Sequence, residues 1–465
     1  MIKVLPKSIK ETQERLLKKE FSCVELVDAY LANINSKNKE LNAVITISED
    51  LAYEQVKKAD EVINELGEKA FKEFPLLGVT VIHKDMFLTK GIRTTAGSKV
   101  LENYVPEYSA TVVKKMEVAG AITLGKANQD AWAHGSSGEN SDFGATKNPK
   151  NTDYVPGGSS SGSAASVAAE FSLVATGTDT GGSIRNPANF CGVVGLKPTY
   201  GSVSRYGVIA MASSLDCPGV IANNIEDAKT VYNIIKGEDG FDGTVINKRE
   251  NAVAKATALK VGIPKEYFVK GLEKEVEESI MEVKKKFEKH DIEFVEISLP
   301  HTKYGIGVYY VIGTAEVSSN LGRYDGIRFG KDRKSFGDEA KRRIMLGTYV
   351  LSSGYHDQYY LKAMKVRSKI IEDFDKAFEE VDAILAPVSP TPAFKLGENI
   401  NDPLKMYLAD IFTVNANLAG IPGIAIPSGG STSLTTKGLP LGFQLMGPKF
   451  GEEVLFRLGE LYESI

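Results

Sequence analysis

The run VPGGSSSGSAASVAAEFSLVATGTDTGGSIRNPANFCGVVGLKPTYGSVSRYG, residues 155–207, decides the fold. It sits in a longer segment, 135–215, crowded with glycine and serine, a composition that invites the reading of a flexible linker. The apolar stretches FSLVATG and CGVVGLK argue against a linker, and SAASVAA is a helix of small residues suited to close packing on both sides. The glycines then let backbone approach backbone or a ligand.

Toward the N-terminus, Ser22 and Glu25 form a capping-box pair before ELVDAYLANI, where Val24, Leu26, Val27, Tyr30 and Leu31 share one helical face. A second helix covers about residues 50–66, after LNAVITI. LLGVTVIHKDMF (76–87) reads as a buried strand, and strand–helix alternation continues through TVVKKMEVAG and AITLGKAN. Toward the C-terminus, KGEDGFDGTVINKRENAVAKA (236–256) reads as a polar surface excursion. A strand, LKVGIP, follows it. Next come a helix with Val276, Ile280, Val283 and Phe287 on one face and a strand, IEFVEI. DAILAPVSPTPAF, AGIPGIAIPSG and LPLGFQLMG lead to a last helix, EEVLFRLGELY. No internal repeat appears. The expected class is α/β, a mixed β-sheet core covered by helices on both faces.

Composition narrows the function. The 465 residues are 42% hydrophobic and 25% charged, with a net charge of −4, which excludes wholesale disorder and a basic nucleic-acid binder. The mean hydropathy is −0.15. Cys23, Cys191 and Cys217 are far apart, form no CxxC pair or metal-ligand spacing, and suit a reducing compartment. MIKVLPKSIKETQERLLKKEF has no apolar core of a secretory leader, and no run of about 18 apolar residues suggests a membrane span. The expectation is a soluble cytoplasmic protein with no metal site.

Two short motifs are weighed and set aside. GAITLGKA (120–127) is one residue from a P-loop, but Ala127 replaces the Mg²⁺-binding hydroxyl and the interior is apolar, so strand-to-helix packing is the better reading. GSSSG (158–162) matches GxSxG with Ser160 at its centre. A nucleophile elbow needs an apolar strand before it, which KNPKNTDYVP is not, and His290, His301 and His356 have no persuasive setting.

Serine chemistry without histidine remains. A serine hydroxyl needs a base, and a neutral lysine serves in Ser-Lys variants of the triad. Lowering a lysine from about 10.4 to about 7 costs about 4.6 kcal/mol, so the residue must be buried or placed among other cations. Lys84 ends the apolar run GVTVI. Its neighbour His83 points to the opposite face of a strand and cannot share its site. TDTGGSIR (178–185) places Ser183 after two glycines. The backbone N–H groups of Thr180, Gly181, Gly182 and Ser183 are candidates for an oxyanion hole, and a plain glycine turn capped by serine is the competing reading.

Taken together, Lys84 and the long Gly/Ser run resemble the amidase signature family, over nearly the whole chain. The resemblance implies one domain over 1–465, with an N-terminal helical part (1–70), a signature core (76–220) and a C-terminal part carrying the substrate pocket (258–465). It implies a Lys–Ser–Ser triad. Lys84 matches the strand-end lysine, Ser159 the first serine of the "GGSS" motif, on a cis peptide, and Ser183 the nucleophile. Their spacings of 75 and 24 residues agree with the family pattern.

KPTYGSVSRYGVIAMASSLD, SLPHTKYGIGVYYVIGTAEVSSNLGRYDGIRFG, FGDEAKRRIMLGTYVLSSGYHDQYYLKAMKVR and MYLADIFTVNANLAGIPGIAIPSG resemble the branch of that family that frees ammonia from glutamine for tRNA-dependent amidotransferases. A stand-alone amidase acting on another small amide is the alternative. The branch implies a heterotrimer with subunits B and C, misacylated tRNA handled through the partner, and ATP and Mg²⁺ used there, with no cofactor on this chain. It also implies that Arg343 binds the glutamine carboxylate, Asp410 its ammonium, and Tyr309 its side chain, with Arg342 a rival to Arg343. Three departures stand out. Ser161 replaces a glycine, His134 stands where the family has methionine, near the acyl pocket that the resemblance implies, and the segment KDRKS (331–335) is short.

Overall fold

The computed structural model describes residues 2, 4–246, 259–268, 271–400, 402–429, 435 and 438–465. Its centre is one 11-stranded sheet. In chain order the strands are β1 (Val44–Ile47), β2 (Thr80–Lys84), β3 (Ile122–Ala127), β4 (Val174–Asp179), β5 (Val194–Lys197) and β6 (Cys217–Ala222). They continue as β7 (Lys260–Pro264), β8 (Glu293–Ile297), β9 (Ala383–Pro387), β10 (Gly423–Pro427) and β11 (Gly442–Met446). Their spatial order is β1-β3-β2-β4-β6-β5-β10-β11-β9-β7-β8. β2 is parallel to both β3 and β4, β7 is parallel to β8 and β9, and the middle of the sheet is antiparallel. This is the mixed α/β sheet expected from the alternation of apolar strands and helices.

Period-two alternation sorts the strand residues. Val81, Val174, Val220, Ile424 and Leu445 enter one large core, with helices Ile225–Ile235, Lys274–Glu288 and Glu452–Glu463 against it. Ile82, Ala175, Ile221, Ala425 and Ile384 face the other way, into separate clusters under the remaining helices. On that second face lie the helices Ser161–Ala168 and Arg185–Cys191. The first consists of small residues buried along seven successive positions. A Cβ on Gly162 would stand 2.2 Å from the Ala43 carbonyl oxygen, so only glycine allows this approach.

Several local expectations hold. The Ser22–Glu25 capping box is present, the second helix runs Glu49–Leu66, and Val276, Ile280, Val283 and Phe287 are buried. Others are corrected. Val24 is only partly buried, because Cys23 and Ile34 complete the inner face instead. The strand expected over 76–87 is only Thr80–Lys84; Leu76 and Leu77 belong to a turn, and the chain turns again after Lys84. The P-loop-like GAITLGKA includes β3 itself, so its glycine and lysine lie in the sheet rather than in a phosphate-binding loop. Of the polar stretch 236–256, residues 247–256 lie outside the described residues. No helix among the described residues is long and apolar enough to cross a membrane.

Candidate active site

Open α/β sheets bind ligands beyond the carboxyl ends of their parallel strands. β2 ends in Lys84 and its parallel neighbour β4 ends in Thr178 and Asp179. Lys84 Nζ donates to Ser159 Oγ at 2.8 Å and to Thr178 Oγ1 at 2.8 Å, with the lysine fully buried. Burial pushes the ammonium down to about 7, against the opposing pull of Asp130, Asp179 and Asp216. His83 faces the other side of the sheet and meets Thr176 and Thr123.

Ser159 follows a cis peptide bond from Gly158. Ser160 N–H donates to the Ser183 carbonyl at 3.1 Å, tying the two serine loops together. The Ser160 hydroxyl is spent on the Thr178 backbone, where it donates to the carbonyl and accepts from the N–H. That explains in side-chain terms why GxSxG is not a nucleophile elbow here. Ser183 is 8% exposed, and its hydroxyl has no hydrogen-bond partner among the described residues. It makes no bond to Ser159 in this structure, and unbound catalytic sites commonly show such loose geometry.

The turn Thr180–Ser183 is held from below by Asp179. Its carboxylate accepts from the N–H groups of Gly182, Ile184 and Arg185 and from the Arg185 guanidinium. Burial raises this carboxyl, but Arg185 overrides it and holds it down to about 2. The expected oxyanion set therefore needs a correction. Gly182 N–H points at Asp179 at 2.8 Å and is spent, which leaves Thr180, Gly181 and Ser183. Gly182 has φ +135°, and a Cβ there would meet Thr413 Oγ1 at 2.3 Å. Thr413 donates to the Gly181 carbonyl, Asn417 to the Asp179 carbonyl, and Thr180 Oγ1 to Asp216.

Two of the three substrate candidates, Tyr309 and Asp410, reach this turn from the C-terminal part, and Arg343 lies on a neighbouring helix. A Cβ on Gly181 would lie 2.8 Å from Tyr309 Cζ, and one on Gly182 would lie 3.3 Å from Asp410 Oδ1. Asp410 accepts from the Ser136 hydroxyl, is buried, and is pushed up to about 7 by burial. Arg343 is buried on the helix Asp338–Leu351; its Nε donates to Glu339 at 2.8 Å, and its guanidinium lies 5.3 Å from the Tyr310 ring centre. Arg342 also pairs with Glu339 but with a side chain 44% exposed, so burial favours Arg343. Ser136, Tyr310, Arg342, Arg343, Tyr407 and His134 share the wall of a cavity of about 370 Å³. A larger cavity, about 690 Å³, lies between Tyr104, Tyr108, Tyr324 and Lys331 and touches none of the candidate residues.

Thr178, Ser136, Asp179 and Thr413 are functional neighbours that the sequence does not mark. Thr178 and Asp179 lie inside TDTGGSIR, but which hydroxyl meets Lys84 depends on β2–β4 pairing. Ser161, the residue in place of a glycine, starts its helix and donates to Thr146 without disturbing Ser159 or Ser183.

The chain belongs to the amidase family, whose model matches residues 25–456. The A subunit of glutamyl-tRNA(Gln) amidotransferase from Geobacter metallireducens is 50% identical over 98% of this chain and 96% of its own length. The protein of that name from Coxiella burnetii is 50% identical over 98% and 97%. The crystal structure of the corresponding A subunit from Thermotoga maritima matches with a TM-score of 0.81 and 41% identity, covering 98% of this chain and 95% of that one.

Proposed function

We propose that this chain is the glutaminase subunit of a tRNA-dependent amidotransferase. The observation that carries the reading is the buried contact from Lys84 to Ser159, one loop from a Ser183 hydroxyl that has no partner among the described residues. The neutral Lys84 amine accepts a proton from Ser159 as Ser159 accepts one from Ser183. Ser183 Oγ then attacks the side-chain amide carbon of glutamine, and Gly181 and Ser183 N–H groups, with Thr180, face the oxyanion. Collapse expels ammonia, which takes back the proton through Ser159. Water then attacks the acyl-enzyme along the same route and releases glutamate. Arg343 and Asp410 take the carboxylate and ammonium of the substrate, and Tyr309 closes on its side chain.

The names carried by relatives 50% identical over almost the full chain support glutamine as the amide and tRNA-bound glutamate as the destination of the ammonia. In this reading the chain works in the cytoplasm in a heterotrimer with subunits B and C. ATP and Mg²⁺ act on the partner that activates Glu-tRNA(Gln), or Asp-tRNA(Asn), and this chain's own step uses neither. The test is to co-express the chain with a B-like and a C-like subunit. Co-purification, glutamine hydrolysis and ATP-dependent amidation of misacylated tRNA are expected. Turnover of simple aliphatic or aryl amides by the isolated chain, with none of glutamine, would overturn the proposal.

A further inference from the structure

His134 is fully buried, and neither ring nitrogen has a hydrogen-bond partner among the described residues. A buried polar group without a partner destabilises the fold, and its persistence calls for a reason. Its backbone is fixed. His134 N–H donates to the Ala131 carbonyl at 3.0 Å, Asn140 Nδ2 donates to the His134 carbonyl at 2.7 Å, and Trp132 and Ala133 before it take positive φ. His134 is one of the residues around the cavity that Arg343, Ser136 and Tyr310 also line.

We infer that His134 is a specificity-determining residue of this pocket, its imidazole donating an N–H to the substrate carboxylate that Arg343 also holds. The inference rests on the glutaminase reading above and deepens it. The substrate class is amides of α-amino acids with a free carboxylate. Two features select the carboxylate end. Asp410 and Ser136 occupy the side toward the Gly181–Gly182 turn, where the amide must reach Ser183. Burial, and after it the positive charge of Arg343, push the imidazolium well below its ordinary range, so the ring is neutral, with one N–H to give and one lone pair.

The test uses the full chain in its purified complex, with His134→Met, which removes both ring nitrogens, and His134→Gln, which restores an N–H donor. Steady-state kinetics are measured on L-glutamine and on glutamine α-amide, which lacks the carboxylate. His134→Met should raise KM for glutamine roughly 10-fold or more, with kcat within about twofold of the parent. His134→Gln should recover most of that loss, and the α-amide should show no penalty. The Tm of His134→Met should equal or exceed the parent's, because an unpartnered polar group has left the interior. An unchanged KM, a loss in kcat alone, an equal loss on the α-amide, or a lowered Tm without a KM effect would each overturn the inference. Failure of the glutaminase reading is visible separately. It would show in the parent, as an absence of glutamine turnover, before any variant is compared.

Discussion

In the proposed mechanism Lys84 is the residue whose charge sets the rate, because only the neutral amine accepts a proton. Its ammonium is lowered by burial to about 7, so the catalytically ready fraction grows as pH rises. At saturating glutamine, kcat should climb between about pH 6 and about pH 8 and then level off. A flat profile across that window would mean that another base serves. Asp410 titrates in the same range, raised by burial, and must be ionised to hold an ammonium; kcat/KM should therefore fall more steeply than kcat as pH drops. Ser183→Ala and Lys84→Ala should both abolish turnover, with Ser159→Ala retaining more. Mass spectrometry with an amide-directed inhibitor should find the adduct on Ser183, and an adduct on Ser160 would contradict the hydrogen bonds that occupy its hydroxyl. Arg343→Ala or Asp410→Ala strands one substrate charge, and charge-assisted hydrogen bonds worth about 1.5–3 kcal/mol imply a loss of roughly 10- to 150-fold in kcat/KM on glutamine. Lys84 and Ser183 stand out in the sequence through the long motif shared with the amidase family, since a strand-end lysine and a serine after two glycines each also have a purely structural reading. Ser136 is not marked as a pocket residue in the sequence, and His134 is marked only through the family resemblance, since the helix that brings Arg343 to the same cavity lies far along the chain.

At the level of elements, the Asp179–Arg185 pair connects the end of β4 to the helix that follows the serine turn. Arg185 also donates to Gln444 on β11, to the Thr413 carbonyl and to Asn417, so one buried guanidinium ties the serine turn to distant parts of the chain. Asp179→Asn keeps the shape and removes the charge, leaving that guanidinium unpaired. A loss of about 3–5 kcal/mol in unfolding free energy is expected, read from denaturant midpoints, together with lower activity from a loosened turn. The helix Ser161–Ala168 offers a second case. Gly162→Ala drives a Cβ into the Ala43 carbonyl and should destabilise by about 1–3 kcal/mol. A variant as stable as the parent would show that this helix can lift from the sheet. The small-residue composition of the helix is readable, because alanine and serine say that something comes close. What comes close, the loop before β1, is not readable, since no local pattern names a partner so much earlier in the chain.

Across the whole molecule, strands from the N-terminal third, the middle and the C-terminal third pair in one sheet, from β1 at one edge to β8 at the other. No part can lose its strands without exposing the ladder of another. Trp132, the sole tryptophan, is buried against Tyr324 and Phe336 and reports on the packing of the middle of the chain against the C-terminal part. Its fluorescence and the far-UV circular dichroism should lose signal at one denaturant midpoint; separated transitions would show that the parts unfold independently. By itself the sequence determined the α/β class and the helices with clear faces, because periodicity and turn chemistry are local properties of the chain, and its long motif singled out the lysine and the two serines as candidates through the family it resembles. Only the tertiary structure decided that Gly182 N–H is taken by Asp179, that Arg343 and not Arg342 is buried, and that His134 and Arg343 belong to the surroundings of one cavity. Each of those depends on where a hydrogen bond or a charge finds its partner in space, and partners far apart in sequence are brought together only by the folded sheet.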